Sequence, residues 1–229
     1  MKLIVIIPAR GGSKSLPKKN ILPLKGRPLL CHSVDYSLKS KLVTTTIVST
    51  DSQEIADIAK NCGASVPFIR PDEFAQDDTK DYPVMRHALD FFESKGQIFD
   101  IYILLRPTSP MRPSGLIESA VEIFKNNPLV TSIRSMAEIK EHPYRAWKQN
   151  QDGSISGFIN NETEPYNIPR QELPPLYFQT GDIEAIRRET LIGGSVSGNY
   201  VFPLVIKHNE MIDIDNESDF NRAEQGLFT

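Results

Sequence analysis

The run LIVII at positions 3–7, closed by Pro8, constrains the fold more than any other part of the chain. Five consecutive aliphatic residues leave no polar face, so the segment reads as a strand covered on both sides, as in the middle of a parallel sheet. The loop that follows, ARGGSKSLPKKN at 9–20, holds Arg10, Lys14, Lys18 and Lys19, with Gly11 and Gly12 letting the backbone approach a ligand. In an open parallel sheet, ligands bind beyond the carboxyl ends of the strands. Cations beside exposed backbone N–H groups at such an end suit a polyphosphate. The spacing matches neither G-x-x-x-x-G-K-[ST] nor G-x-G-x-x-G, and by composition alone a solvated basic loop fits equally well. The position after the first strand tips the balance toward a phosphate site.

β-Branched residues at 44–49 give a second strand, and short apolar runs at 66–69, 101–105 and 130–133 give three more. Helices are expected between them. One covers 28–38. The next has Asp51 as its cap, Glu54 at the capping-box spacing and Gly63 as its stop. A third begins at Pro83 with Met85, Ala88, Leu89 and Phe92 on one face. A fourth is capped by Ser114, with Ile117, Ala120, Val121 and Phe124 on one face. Strands alternating with amphipathic helices imply an α/β fold, Rossmann-like, with three αβα layers and a mostly parallel sheet. The rhythm breaks at 137–180, a stretch rich in Pro, Asn, Gln and aromatics that reads as an insertion within one domain spanning 1–229. A strand at 202–208 and a helix capped near Asp215 or Asn216 follow.

Lys and Arg number 26 against 29 Asp and Glu, so a cationic site must be local and a nucleic-acid binder is not expected. The apolar start is too short for a signal peptide and no segment reaches transmembrane length, so a cytoplasmic protein with no membrane partner is expected. Cys31 and Cys62 fall in predicted helices and read as structural thiols rather than a disulfide or a metal pair. His32, His87, His142 and His208 lack metal-ligand spacing, and no G-x-S-x-G or H-E-x-x-H motif supports nucleophilic or zinc chemistry.

A second chemical feature is IDID at 212–215. In extended chain, Asp213 and Asp215 share one face while Ile212 and Ile214 turn to the core. Two carboxylates on one edge can hold a hard cation such as Mg²⁺ and leave positions for water and phosphate. The competing reading has Asp215 capping the last helix and Asp213 solvated. A proline-rich loop, RPTSPMRP at 106–113, leaves the 101–105 strand at the same sheet edge. In the insertion, Arg145 and Arg170 offer guanidinium forks that match a carboxylate. Cations and a metal around a nucleoside triphosphate fit phosphoryl transfer by positioning and charge stabilisation.

IIPARGGSK, LPKKN, VSTDSQEIADIA, IRPDE, RPTSPMR, EHPYRAW, PRQELP and IDIDNESDF occur in that order along nearly the whole chain. They resemble the acylneuraminate cytidylyltransferases, the CMP-sialic acid synthetases and their relatives for other nonulosonic acids. The resemblance implies a Mg²⁺-dependent nucleotidyltransferase. In it, the anomeric hydroxyl of a nine-carbon 2-keto sugar acid attacks the α-phosphate of CTP and pyrophosphate leaves. It also implies a homodimer, with 137–180 as a dimerisation and sugar-binding element. Arg10 and Lys19, beside Gly11 and Gly12, would hold the triphosphate, Asn20 would contact the nucleotide, and Arg70 would lie by the base. Asp213 and Asp215 would bind Mg²⁺, one of them helping to deprotonate the attacking hydroxyl. Arg106, Arg145, Arg170 and Gln179 would reach the sugar acid, the two insertion arginines in cis or from the partner subunit.

Three departures from the family pattern bear on specificity. Arg106 stands where the family loop often has glutamine. QDDTKDYP replaces a serine-rich turn and puts Asp81 near the expected base edge. Thr180 and Gly181 replace an asparagine-glycine turn. A carboxylate accepts from guanine N1–H and N2–H₂, so a GTP-using enzyme making GMP-legionaminic acid is the alternative, and Asp81 fits a helix cap equally well. Other classes are a sugar-1-phosphate nucleotidyltransferase and a non-catalytic nucleotide-binding regulator.

Overall fold

The computed structural model describes residues 1–207 and 212–226. The elements run β1 (Leu3–Pro8), a small hairpin of β2 (Pro23–Leu24) and β3 (Arg27–Pro28), α1 (Leu29–Lys39), β4 (Val43–Ser49), α2 (Gln53–Asn61), α3 (Asp81–Ser94), β5 (Ile101–Leu104) and α4 (Leu116–Asn126). They continue with β6 (Ser132–Glu138), a hairpin of β7 (Trp147–Gln149) and β8 (Ile155–Gly157), β9 (Tyr177–Arg187), α5 (Arg188–Ile192), β10 (Val201–Val205) and α6 (Glu217–Gln225). One sheet has the order β10-β6-β9-β5-β1-β4.

The aliphatic run in β1 lies near the middle of that sheet, and its alternate residues feed two cores. Leu3, Val5 and Ile7 pack with residues of α1, α2 and α4, while Ile4 and Ile6 pack with those of α3 and α5. Burial on both faces explains why the run shows no polar alternation. Strands β4 and β5 flank β1 in parallel, so the strand order reverses there, making a topological switch point. The periodic faces at Met85, Ala88, Leu89, Phe92 and at Ile117, Ala120, Val121, Phe124 are buried as their spacing predicts.

Several local expectations are corrected. Residues 66–69 form no strand; only Ser65 bridges, to Ile47, because the chain leaves the sheet edge at once. Ser52, not Asp51, caps α2 by accepting from the Ile55 N–H, and Asp51 turns to the glycine loop instead. Gly63 does stop the helix, in a left-handed conformation at φ 96°. Helix α3 starts at Asp81 rather than Pro83. Ser114 does not cap α4: Gly115 holds the cap position, and the Tyr36 hydroxyl of α1 accepts the Leu116 N–H at 3.0 Å. The fifth predicted strand lies at Ser132–Glu138, later than 130–133, and the 202–208 strand is confined to Val201–Val205, with His208 outside the described residues. Cys31 and Cys62 are disulfide-bonded rather than free thiols, because α1 and the end of α2 pack with the two Cα atoms 5.7 Å apart.

The largest difference is β9. The stretch FQTGDIEAI belongs to an antiparallel strand between β5 and β6, not to a turn. Opposite Ser135 the register shifts, and Thr180, Gly181 and Asp182 bulge from the ladder. The Ser135 hydroxyl fills the gap, accepting from the Ile183 N–H at 3.0 Å and lying 2.8 Å from the Thr180 hydroxyl. The insertion hangs between β6 and β9, and no described helix is long and apolar enough to cross a membrane.

Candidate active site

A cleft of about 530 Å³ opens at the switch point, beyond the carboxyl ends of β1 and β5. The loop after β1 supplies Arg10, Lys14, Lys19 and Asn20 to one wall. Arg70, Phe74, Asp77 and Asp81 form the facing wall, and Arg106 and Thr108 line the side after β5. The predicted basic loop and the RPTSP loop therefore meet at one cavity.

The basic loop is shaped by its own hydrogen bonds. Asn20 is nearly buried and donates to the Arg10 carbonyl at 2.9 Å, closing the loop on itself. Lys18 takes a left-handed backbone at φ 54°, which a side chain adopts only at some cost. The consequence is that neighbouring lysines part: Lys18 turns out to Glu54, 2.9 Å from both carboxylate oxygens, and Lys19 turns in. Gly11 serves packing rather than the cleft: its N–H donates to Asp51 at 2.9 Å, and a Cβ there would lie 3.2 Å from Ser52 Cβ. Neither Gly11 nor Gly12 lines the cavity, so their expected nucleotide contacts have no counterpart in its walls.

Lys19 joins the loop to the IDID segment. Its ammonium donates to the Ile214 carbonyl at 2.9 Å and lies 3.7 Å from Asp215 Oδ1. Ile212 and Ile214 are buried against Leu24, Leu29 and Ala223, as alternation requires, leaving Asp213 and Asp215 on the other face. Asn216, not Asp215, caps α6, in a reciprocal capping box with Asp219. Asp215 is thus left free of the capping role. Neither aspartate lines the cleft; partial desolvation raises the Asp213 pKa, a hydrogen bond with Thr108 opposes this, and the charge of Asp215 raises it further. Two mutually repelling carboxylates, one of them 3.7 Å from the cleft cation Lys19, are a donor set that fits a hard divalent cation. The β9 bulge backs this pair: a Cβ on Gly181 would lie 2.6 Å from Ser109 Oγ and 3.8 Å from Asp213 Oδ2, so a larger residue there would displace the Ser109 hydroxyl.

Beneath the cleft runs a chain of alternating charges. Arg106 lies 2.5 Å from Asp81 and 2.5 Å from Glu184, and the buried Glu184 is 2.8 Å from Arg134. Gln179 donates to Glu184 at 3.0 Å and accepts from Arg134 at 2.7 Å. Burial alone would lower the Arg106 pKa, but Glu184 and Asp81 outweigh it and raise it. Asp81 is therefore not a helix cap; Lys80 holds that position and Asp81 binds Arg106. Arg106 and Gln179, expected to meet the sugar, have these protein partners.

Arg70 is buried beside Asp51, and burial lowers its pKa. Arg145 and Arg170 are exposed in the insertion and line no part of this cleft; Arg145 donates to the Ile168 carbonyl at 3.3 Å. Sequence reasoning missed Arg112, Glu184 and Asp77. Arg112 is buried, donating from Nε to the Asp182 carbonyl at 2.5 Å and from Nη1 to Ser33 at 2.9 Å, with Nη2 bonded to the Arg106 carbonyl. It thereby locks the RPTSP loop to the bulge. Its second place in a proline-rich loop after a buried strand was the available signal.

Residues 4–192 match the sequence model of the cytidylyltransferase family. The chain belongs to that family. It is 34% identical over 98% of its length to the CMP-N,N'-diacetyllegionaminic acid synthase of Legionella pneumophila, covering 96% of that protein. It is 30% identical to the pseudaminic acid cytidylyltransferase of Campylobacter jejuni, over 98% of this chain and 95% of that one. Against the N-acylneuraminate cytidylyltransferase of Streptococcus agalactiae it is 31% identical over its whole length but spans 54% of that protein. Among solved structures, a CMP:2-keto-3-deoxy-manno-octonic acid synthetase complexed with CTP superposes with a TM-score of 0.73 over 98% of both chains at 19% identity, a likeness of fold. This cytidylyltransferase is an enzyme with the Rossmann-like sheet and flanking helices expected of it.

Proposed function

We propose that the enzyme activates a nonulosonic acid with CTP. The oxygen of the sugar's anomeric hydroxyl forms a bond to the α-phosphorus, the bond from that phosphorus to the bridging oxygen of the β-phosphate breaks, and one proton and pyrophosphate are released. The observation that carries this reading is Lys19, which links the cationic cleft to Asp215 and to the Ile214 carbonyl between the two aspartates. Arg10, Lys14 and Lys19 hold the triphosphate, Asn20 fixes the loop that presents them, and Arg70 and Phe74 face the nucleoside. Asp213 and Asp215 hold Mg²⁺, which when bound neutralises charge on the phosphates. Most of the rate then comes from orientation and fixed charge.

The sugar acid is bound by the open side of the cleft near Arg106 and by Arg145 and Arg170 supplied across a homodimer. What supports this is the insertion itself, which exposes Trp147, Ile155 and Phe158 on a small hairpin. The test is pyrophosphate release with CTP, GTP, UTP and ATP crossed with N-acetylneuraminic, legionaminic, pseudaminic and 3-deoxy-octulosonic acids. CTP with one or more nine-carbon acids is expected to be active. Turnover with GTP alone, or only with a sugar phosphate, would overturn the proposal.

A further inference from the structure

We propose that Asp77 is an intramolecular competitor for the phosphate cradle: its carboxylate stands in for a phosphoryl group between Arg10 and Lys14 and returns there as pyrophosphate leaves. The inference rests on the reading of the loop at 9–20 as the triphosphate site.

Arg10 Nη1 lies 2.5 Å from Asp77 Oδ1, and the Lys14 ammonium is bonded to the other oxygen, Oδ2. One carboxylate thus bridges two cations with one oxygen each, as two non-bridging oxygens of a phosphoryl group do. The partners come from opposite walls of the cleft, 67 positions apart in the chain for Arg10. Lys14 is 82% exposed and Asp77 40%, so charge rather than packing holds the contact, and exposed pairs of this kind are weak and exchangeable. Hydrogen bonds from Lys14 and then Arg10 hold the Asp77 carboxyl below the usual carboxylate range, so it stays charged at neutral pH. The other acid of this wall differs: Asp81 is tied to Arg106, which Glu184 holds from beneath.

A ligand phosphate carries more charge than a carboxylate and adds contacts at Lys19, so it wins the cations. Every ligand that takes Arg10 and Lys14 meets the same cost. Affinity for CTP and for pyrophosphate is therefore lowered by one common factor, which weakens uniform binding and speeds the departure of product.

The experiment is calorimetric titration of wild type, Asp77→Asn and Asp78→Asn with pyrophosphate and with CTP, in metal-free buffer containing chelator. Asp77→Asn should bind both ligands more tightly by the same factor, about three- to tenfold, the scale of two exposed ion pairs. Asp78→Asn removes the same charge from the next position, which lines no part of the cleft, and should stay within about twofold of wild type. Pyrophosphate should also inhibit turnover of Asp77→Asn more strongly by the common factor. Weaker binding in Asp77→Asn overturns the proposal, because Asp77 would then be holding the cations in place for the ligand. Equal tightening in both variants also overturns it, because bulk charge would be the cause. If wild type binds ligand and Asp77→Asn is unchanged, this inference alone falls. Where wild type needs Mg²⁺ to bind, the three proteins are compared with it present; if wild type binds neither ligand even then, the cradle reading falls as well.

Discussion

Two ionic clusters share the cleft. Arg10, Asp77 and Lys14 meet at its mouth, where Lys14 is largely in solvent. Asp81, Arg106, Glu184 and Arg134 run from its wall into the sheet, where Glu184 is fully buried. The pairing chemistry is the same in both; the surroundings differ. Water screens the first cluster and can replace any partner, so a ligand can take it apart. In the second, Asp81 is as open to water as Asp77, but Glu184 is buried and its removal strands the charge of Arg134. The cleft therefore combines an exchangeable ionic cluster with one anchored in the sheet.

The sharpest way to break this contrast is Glu184→Gln, which leaves Arg106 and Arg134 facing a neutral amide. It should cost about 1–3 kcal/mol in urea unfolding, because Arg106 keeps Asp81 while Arg134 loses its ion partner. A loss below about 1 kcal/mol would put the buried chain on the same footing as an exposed pair. Next comes Asp213→Asn, which keeps shape but removes one charge of the pair. Pyrophosphate release should fall about 10²–10³-fold, with CTP affinity changed far less. Wild-type turnover would remove Asp213 from the metal site. Gly181→Ala tests the support behind that pair: its Cβ meets Ser109 Oγ at 2.6 Å, and overpacking should cost about 1–3 kcal/mol. The smallest effect is expected for Glu54→Gln, which breaks the exposed pair with Lys18 and should change stability by under about 1 kcal/mol, measured by the same unfolding.

Much of the fold was legible because it rests on local patterns. The two-sided run in β1 and the apolar faces of α3 and α4 need only burial and periodicity. The IDID alternation was legible for the same reason, and so was a helix start near Asp215 or Asn216, of which Asn216 is the cap. What stayed hidden depends on contacts between distant segments. The bulge in β9 exists because Ser135 fills its gap and Arg112 grips its carbonyl, and neither shows in the strand's own residues. The Cys31–Cys62 bond follows from helix packing, not from spacing. By position Asp81 fitted a base reader and a helix cap equally, and the partner its carboxylate takes lies 25 residues away. Asp77 lay unremarked in an acidic stretch, since its meaning comes only from the cations opposite.

The insertion leaves and re-enters the sheet at adjoining rungs of one antiparallel ladder. Glu138 pairs with Tyr177, and the Ile139 N–H reaches the Leu176 carbonyl at 3.0 Å. Topologically the whole segment is an oversized hairpin loop, and the ladder is already in register before the chain departs. Lengthening such a loop costs only a slowly growing entropy. Its sequence can therefore be rewritten, lengthened or exchanged without moving a strand, although β6 releases it at the same carboxyl edge of the sheet as the cleft after β1.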